Sequence, residues 1–159
     1  MEHGDPRKTF KNINLVYGVL FFSMVIILLA ASLFVSRIGP LISEDPLMEQ
    51  ILKMIVIVFT LVLIPIAHGF PQRIISKISK DLSLAEKMAK YQAALTVRFA
   101  LTEGTAFMAC LFFFITGDTD LMLVVAVILL YFIIGRPSHF KVANDLGLSE
   151  LEKKEIFTE

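Results

Sequence analysis

Residues 15–35 read LVYGVLFFSMVIILLAASLFV, a run of twenty-one residues without a charge. Only Tyr17, Ser23 and Ser32 are polar within it. A helix needs roughly 20 apolar residues to cross about 30 Å of hydrocarbon. Because backbone polar groups find no water at that depth, such a segment must be helical. We interpret it as a retained membrane span, since no A-x-A cleavage site follows it.

Three further apolar blocks decide the fold class, at residues 51–70, 93–116 and 121–135. The 159-residue chain is 56% hydrophobic and 19% charged, with a mean hydropathy of +0.74. In soluble domains about a quarter of the residues are charged, and a smaller fraction of the residues is apolar. The sequence therefore predicts an all-α integral membrane protein, a single domain over residues 1–159. Its four transmembrane helices are expected to form an antiparallel up-down bundle.

Charge and cysteine content exclude two other classes of protein. Lys plus Arg equals Asp plus Glu, at 15 each, so no net positive field attracts nucleic acid. Cys110 is the one cysteine in the sequence, which excludes a disulfide scaffold. The partners that we expect are the lipid bilayer and either further copies of the chain or other membrane subunits.

The basic residues between the blocks indicate the orientation. Residues 1–14, a basic loop over 71–92 and a tail over 136–159 together hold twelve Lys and Arg, whereas the other connections hold only Arg37. Cytoplasmic segments are enriched in Lys and Arg. We therefore expect both termini and this loop to be cytoplasmic, in a multi-pass protein of the cytoplasmic (inner) membrane. The loop either lies as an amphipathic segment on anionic headgroups or only sets the topology.

Short polar motifs indicate where the helices begin. Asp45-Pro46 places a capping carboxylate before a proline at the first position of the second helix. Ser83-Leu-Ala-Glu86 has the spacing of a capping box, which predicts a third helix from about residue 84 to Thr116. Gly117-Asp-Thr-Asp120 predicts a tight turn that joins the third and fourth helices as a hairpin. Ser149-Glu-Leu-Glu152 predicts a short helix in the tail.

Glu103 is the first candidate functional residue. It lies ten residues into the third block, about 15 Å along the helix. An ionised carboxylate at that depth costs several kcal/mol, so we expect Glu103 to be protonated, paired or beside water. Three roles stay open: a hydrogen bond across a packed helix interface, an ion or proton site, and a contact with a partner. Thr60 and Ser23 lie at similar depth and are the expected hydrogen-bond partners.

Arg98 is the other ionisable residue of the third block. It precedes Glu103 by five residues, which separates the two by about 140° around a helix. We expect Arg98 to snorkel towards the cytoplasm, the alternative being a bridge to another helix. Tyr17, His68 and Tyr131 lie in the same inner third of their spans, so a polar band at this level is expected, with His68 and Tyr131 as possible hydrogen-bond partners.

Sequence motifs of catalysis are absent. The sequence contains no nucleophile elbow, phosphate loop, HExxH or haem CxxCH. His68 has no second histidine or carboxylate three or four residues away within its span, so no metal site is predicted there. We expect no catalytic residue, no cofactor and no metal.

Two resemblances to known families accompany these patterns. Residues 98–107 (RFALTEGTAF), Arg136-Pro-Ser138 and Asp145-Leu-Gly-Leu148 resemble a group of small, uncharacterised four-span bacterial membrane proteins. That resemblance implies a topology and no activity. Residues 103–109 (EGTAFMA) are similar to the ion-binding helix of the proteolipid (c-type) subunits of rotary ATPases. That resemblance implies that Glu103 carries H⁺ or Na⁺.

The functional prediction that follows is a non-enzymatic membrane protein acting by association, as an accessory subunit or a homo-oligomer. The Ala100–Gly104 pair supports it, because small residues four apart let another helix approach closely. The alternative is a proteolipid-like subunit that moves H⁺ or Na⁺ through Glu103.

Overall fold

The computed structural model describes residues 5–42 and 46–157, and within them every regular element is a helix. The four long helices are α1 (Pro6–Ile38), α2 (Pro46–Ile75), α3 (Leu84–Thr116) and α4 (Thr119–Ile134). The two short ones are α5 (His139–Leu146) and α6 (Glu150–Phe157). The all-helical fold predicted from the sequence is confirmed.

Three helices, α1, α2 and α3, are long and apolar enough to cross a membrane. Helix α4 has 16 residues, about 24 Å at 1.5 Å per residue, which is less than the usual hydrocarbon thickness. It is followed by α5 at an angle of 71° after a short break. A fourth crossing is therefore present if this bent pair forms one span.

Helix α3 is the centre of the bundle. It packs against α1, α2 and α4, whereas α1 and α2 pack mainly on α3 and not on each other. Tyr17 contacts Phe99, and Phe34, further along α1, contacts Phe114, further along α3. Because the contacts follow the same order in both helices, α1 and α3 are parallel. The contact Phe99–Phe132 pairs the first half of α3 with the end of α4, so that pair is antiparallel.

The helix ends follow the polar motifs. Ser83 and Glu86 form the predicted capping box at the start of α3. Asp118 caps α4, and Gly117 adopts a left-handed conformation with φ of 73° in the turn between the two helices. Ser149 and Glu152 bond reciprocally at the start of α6. The predicted cap at Asp45 lies outside the described residues.

The predicted loop over residues 71–92 requires a correction. Helix α2 continues to Ile75 and α3 begins at Leu84, so only residues 76–83 connect them outside a helix. A single amphipathic segment over these residues is thus divided between the ends of two long helices. Of its apolar positions, Met88 is buried in the core, and Ile74 and Ile78 pack partly buried against it.

Helices α5 and α6 close one end of the bundle. Val142 and Leu146 of α5 and Ile156 of α6 belong to the same buried cluster as Met88 and Tyr91 of α3. Polar contacts support this packing: the Tyr91 hydroxyl lies 3.0 Å from an Asp145 oxygen. Helix α5 was not predicted, because its eight residues carry no capping box and only a short apolar pattern.

Candidate functional site

The carboxyl group of Glu103 contacts helix α1. Its Oε1 atom lies 2.8 Å from the Ser23 hydroxyl, and the Glu103 side chain is partly buried. Of the two partners suggested by depth, Ser23 therefore makes the contact and Thr60 does not. Thr60 Oγ1 is buried and has no hydrogen-bond partner within the described residues.

The Ser23 hydroxyl has a second neighbour, the carbonyl oxygen of Leu20, which is also 2.8 Å away. A hydroxyl carries one proton, and a backbone carbonyl only accepts. The Ser23 hydroxyl is therefore the donor, and the Leu20 carbonyl oxygen and Oε1 of Glu103 share its proton as acceptors.

Arg98 does not snorkel to an aqueous surface as expected. Its side chain is buried, with 8% of the residue exposed. The guanidinium carbon lies 5.3 Å from the centre of the Tyr131 ring, within cation–π range. A Cβ on Gly135 would meet an Arg98 nitrogen at 2.8 Å, so the guanidinium lies against the α4 backbone. The expected alternative, a contact with another helix, is what the structure has.

The expected polar band is present around Arg98. The Tyr131 hydroxyl lies 3.4 Å from Nδ1 of His68, which connects α4 to α2 at the level of Arg98. Arg98 forms no ion pair with Glu103 or with any other carboxylate of residues 5–42 and 46–157. The predicted site residues thus form two separate groups, Glu103 with Ser23, and Arg98 with Tyr131 and His68.

Tyr17 of α1 makes a further polar contact near Arg98. Its hydroxyl donates to the carbonyl oxygen of Phe132, 3.1 Å away. The N–H that would continue the helix to Phe132, that of Arg136, bonds to Ile133 instead. Tyr17 therefore satisfies a carbonyl that the end of α4 leaves without a helical partner.

One face of α3 remains uncovered although this helix is central. The face is made of exposed residues spaced three or four apart: Ala93, Val97, Ala100, Gly104, Phe107 and Leu111. Nothing lies within 4 Å of the position that a Cβ on Gly104 would take. Glu103 borders this face on its α1 side. We call these six residues the open face of α3.

An ion pair that sequence reasoning did not foresee joins the other end of the bundle. Lys53 of α2 lies 2.6 Å from Asp118 and 2.8 Å from Asp120. The two acidic residues of the predicted turn over residues 117–120 could have indicated the partners. Among the described residues, no cluster of three His, Cys, Asp or Glu could hold a metal ion.

These features are those of a helical membrane protein with a small polar interior. Comparison of the chain with protein-family models, curated proteins and solved structures gives no match. The argument for function therefore rests on the residues and contacts described above.

Proposed function

We propose that this protein is a four-span integral membrane protein that acts by association rather than by catalysis. In this proposal α1 to α4 cross the cytoplasmic membrane, and both termini and the 76–83 connection are cytoplasmic. The basic residues at these segments support the orientation. The protein works as a homo-oligomer or as an accessory subunit of a membrane complex.

The observation that carries the proposal is the open face of α3. Between membrane helices the hydrophobic effect is weak, and association depends on close packing through small residues. Ala100 and Gly104 offer such a surface, and none of the helices within the described residues covers it. A glycine within a helix costs about 1 kcal/mol relative to alanine. Close approach of a helix from a partner or a second copy would offset that cost.

Cysteine cross-linking tests the second-copy form of this proposal. We expect Ala100→Cys, in a Cys110→Ala background, to form an oxidised dimer in native membranes. Leu123→Cys on α4 is the matched control, because Leu123 is also exposed and apolar but lies away from the open face. Equal cross-linking at both positions would contradict association through this face.

Native mass spectrometry in gentle detergent tests both forms of the proposal, the homo-oligomer and the accessory subunit. Gly104→Leu should reduce the assembled species, and Gly69→Leu should not, although among the described residues a Cβ on either glycine would meet nothing within 4 Å beyond its own helix backbone. A co-purifying protein would identify an accessory subunit, and multiples of the 17.8 kDa chain would identify a homo-oligomer. A strictly monomeric, partner-free protein would exclude the proposal.

One contact favours the alternative, a subunit that moves H⁺ or Na⁺. Glu103 is only partly buried and borders the open face, so its carboxyl group is within reach of a partner. Glu103→Gln separates the two functions. An association role tolerates the amide, whereas a proton or sodium carrier loses transport because the amide cannot release a proton.

A further inference from the structure

Two cavities meet at the corner between α1 and the α4–α5 junction. The first, of about 580 Å³, includes Lys11, Arg136 and Ser138 in its wall. The second, of about 340 Å³, includes Gly18 and Phe22. Asn14 and Arg136 line both cavities, so the two adjoin, and we call them together the groove. This groove lies on a different side of the bundle from the open face of α3.

The upper part of the groove is cationic. Lys11 and Arg136 form no ion pair within the described part of the chain. No carboxylate lines either cavity among those residues. Ser138 caps α5 here by accepting from the Lys141 N–H at 3.2 Å, and the first turn of a helix favours negative charge. Two unpaired cations and a helix start together fit an anionic group.

The lower part of the groove is mainly apolar below Asn14 and Arg136, and it begins where the membrane would. The uncharged run of α1 starts at Leu15, between the cations above and Gly18 and Phe22 below. Gly18 keeps the groove open, since nothing lies within 4 Å of the position of a Cβ there. The boundary between the cationic and the apolar part of the groove therefore lies at the level of the boundary between headgroups and hydrocarbon.

We propose that this groove binds one anionic glycerophospholipid, with its phosphate between Lys11 and Arg136 and an acyl chain along Gly18 and Phe22. Basic pockets between membrane helices on the cytoplasmic side suit such headgroups. A zwitterionic lipid fits less well, because the groove offers no carboxylate to its ammonium group. The assignment uses the proposed membrane placement but not the association of copies through α3.

Lipid titration of the purified full chain, followed by native mass spectrometry in gentle detergent, tests the proposal. We expect one phosphatidylglycerol per chain to bind at least fivefold more tightly than phosphatidylcholine with the same acyl chains. Lys11→Gln and Arg136→Gln should each weaken phosphatidylglycerol binding about fivefold. Lys8→Gln, an exposed cation of the same helix that lines neither cavity, should leave it unchanged.

The apolar half is tested separately. Gly18→Leu should fill the lower cavity and weaken phosphatidylglycerol binding, whereas Gly69→Leu on α2 should not. Arg136→Lys should keep the binding within about twofold, since it keeps the charge, and this variant guards against loss of folding. Each of four results would overturn the proposal: equal binding of phosphatidylcholine, an equal loss in Lys8→Gln, no loss in Gly18→Leu, or equally tight binding of glycerol phosphate.

Discussion

The Ser23 hydroxyl lies 2.8 Å from Oε1 of Glu103, which joins α1 to α3 within their apolar segments. Thr60, at similar depth on α2, has a buried hydroxyl that finds no hydrogen-bond partner in the part of the chain that the structure describes. Hydrogen bonds between membrane helices contribute about 0.6 kcal/mol on average and at most about 1.7 kcal/mol. The two hydroxyls therefore offer a direct comparison between a paired and an unpaired group.

Glu103→Gln should leave the free energy of unfolding almost unchanged, because the amide can still bond to Ser23. Glu103→Leu should lower it by about 1 kcal/mol, since that interhelical bond is lost. Thr60→Val is the control and should leave stability unchanged or raise it, because it removes an unpartnered polar atom. Reversible unfolding in mixed micelles, followed by circular dichroism, measures all three. A loss in Thr60→Val as large as in Glu103→Leu would contradict the pairing.

Two substitutions of Tyr17 separate the contribution of its hydrogen bond to stability from that of its ring packing. Tyr17→Phe should destabilise the protein by about 1 kcal/mol, because the Phe132 carbonyl loses its donor. The ring contact with Phe132, at 4.8 Å between centres, is kept in this variant. Tyr17→Ala removes the contact as well and should cost about 3–5 kcal/mol. Equal losses in the two variants, measured by unfolding in mixed micelles, would show that the ring contributes nothing.

The sequence was sufficient to predict helices but not their neighbours. Hydropathy located the apolar blocks. The Ser83–Glu86 box and the Gly117 turn located helix ends, because a cap depends only on residues within a few positions of the helix end. The central place of α3 could not be predicted, since lipid-facing and helix-facing side chains are both apolar in a membrane protein. Depth along each block suggested both Ser23 and Thr60 for Glu103, and only the rotation of α1 and α2 about α3 distinguishes them.

Arg98 shows the same limit for a charged residue. Its depth near the end of the third block favoured snorkelling, because a long side chain usually reaches water when it can. The short α4 ends beside it, and Gly135 leaves room for the guanidinium group against the backbone. The resulting burial depends on where two helices end relative to each other, which residue spacing alone does not give.

The ion pair between α3 and α6 predicts a dependence on pH. Lys87 Nζ lies 2.8 Å from Glu152, and this hydrogen bond, with that from the Ser149 N–H, holds the pKa of Glu152 below its ordinary value. The stabilisation is complete above the ordinary glutamate pKa of about 4.3. It is lost as the pH falls through the lower pKa of the folded state. The protection of residues 150–157 against hydrogen exchange, relative to the intrinsic exchange rate at each pH, should therefore fall below about pH 4.

Glu152→Gln should give the same loss of protection against hydrogen exchange in α6 already at pH 7. Glu150→Gln is the matched control, because Glu150 is exposed and its ion pair among the described residues is with Lys153 of the same helix. Protection of α6 that is independent of pH and of Glu152 would mean that Ile156 and its apolar contacts hold this helix alone.

The last prediction decides whether α4 crosses the membrane. Helix α4 has only 16 residues and is followed by α5 at 71°, so a re-entrant path would return the tail to the side of Thr119. In a Cys110→Ala background we expect an impermeant maleimide to label Ile42→Cys and Thr119→Cys on intact right-side-out vesicles. Ser79→Cys and Lys154→Cys should react only after permeabilisation. Labelling of Lys154→Cys together with Thr119→Cys would give three crossings, and labelling of Ser79→Cys without permeabilisation would reverse the orientation.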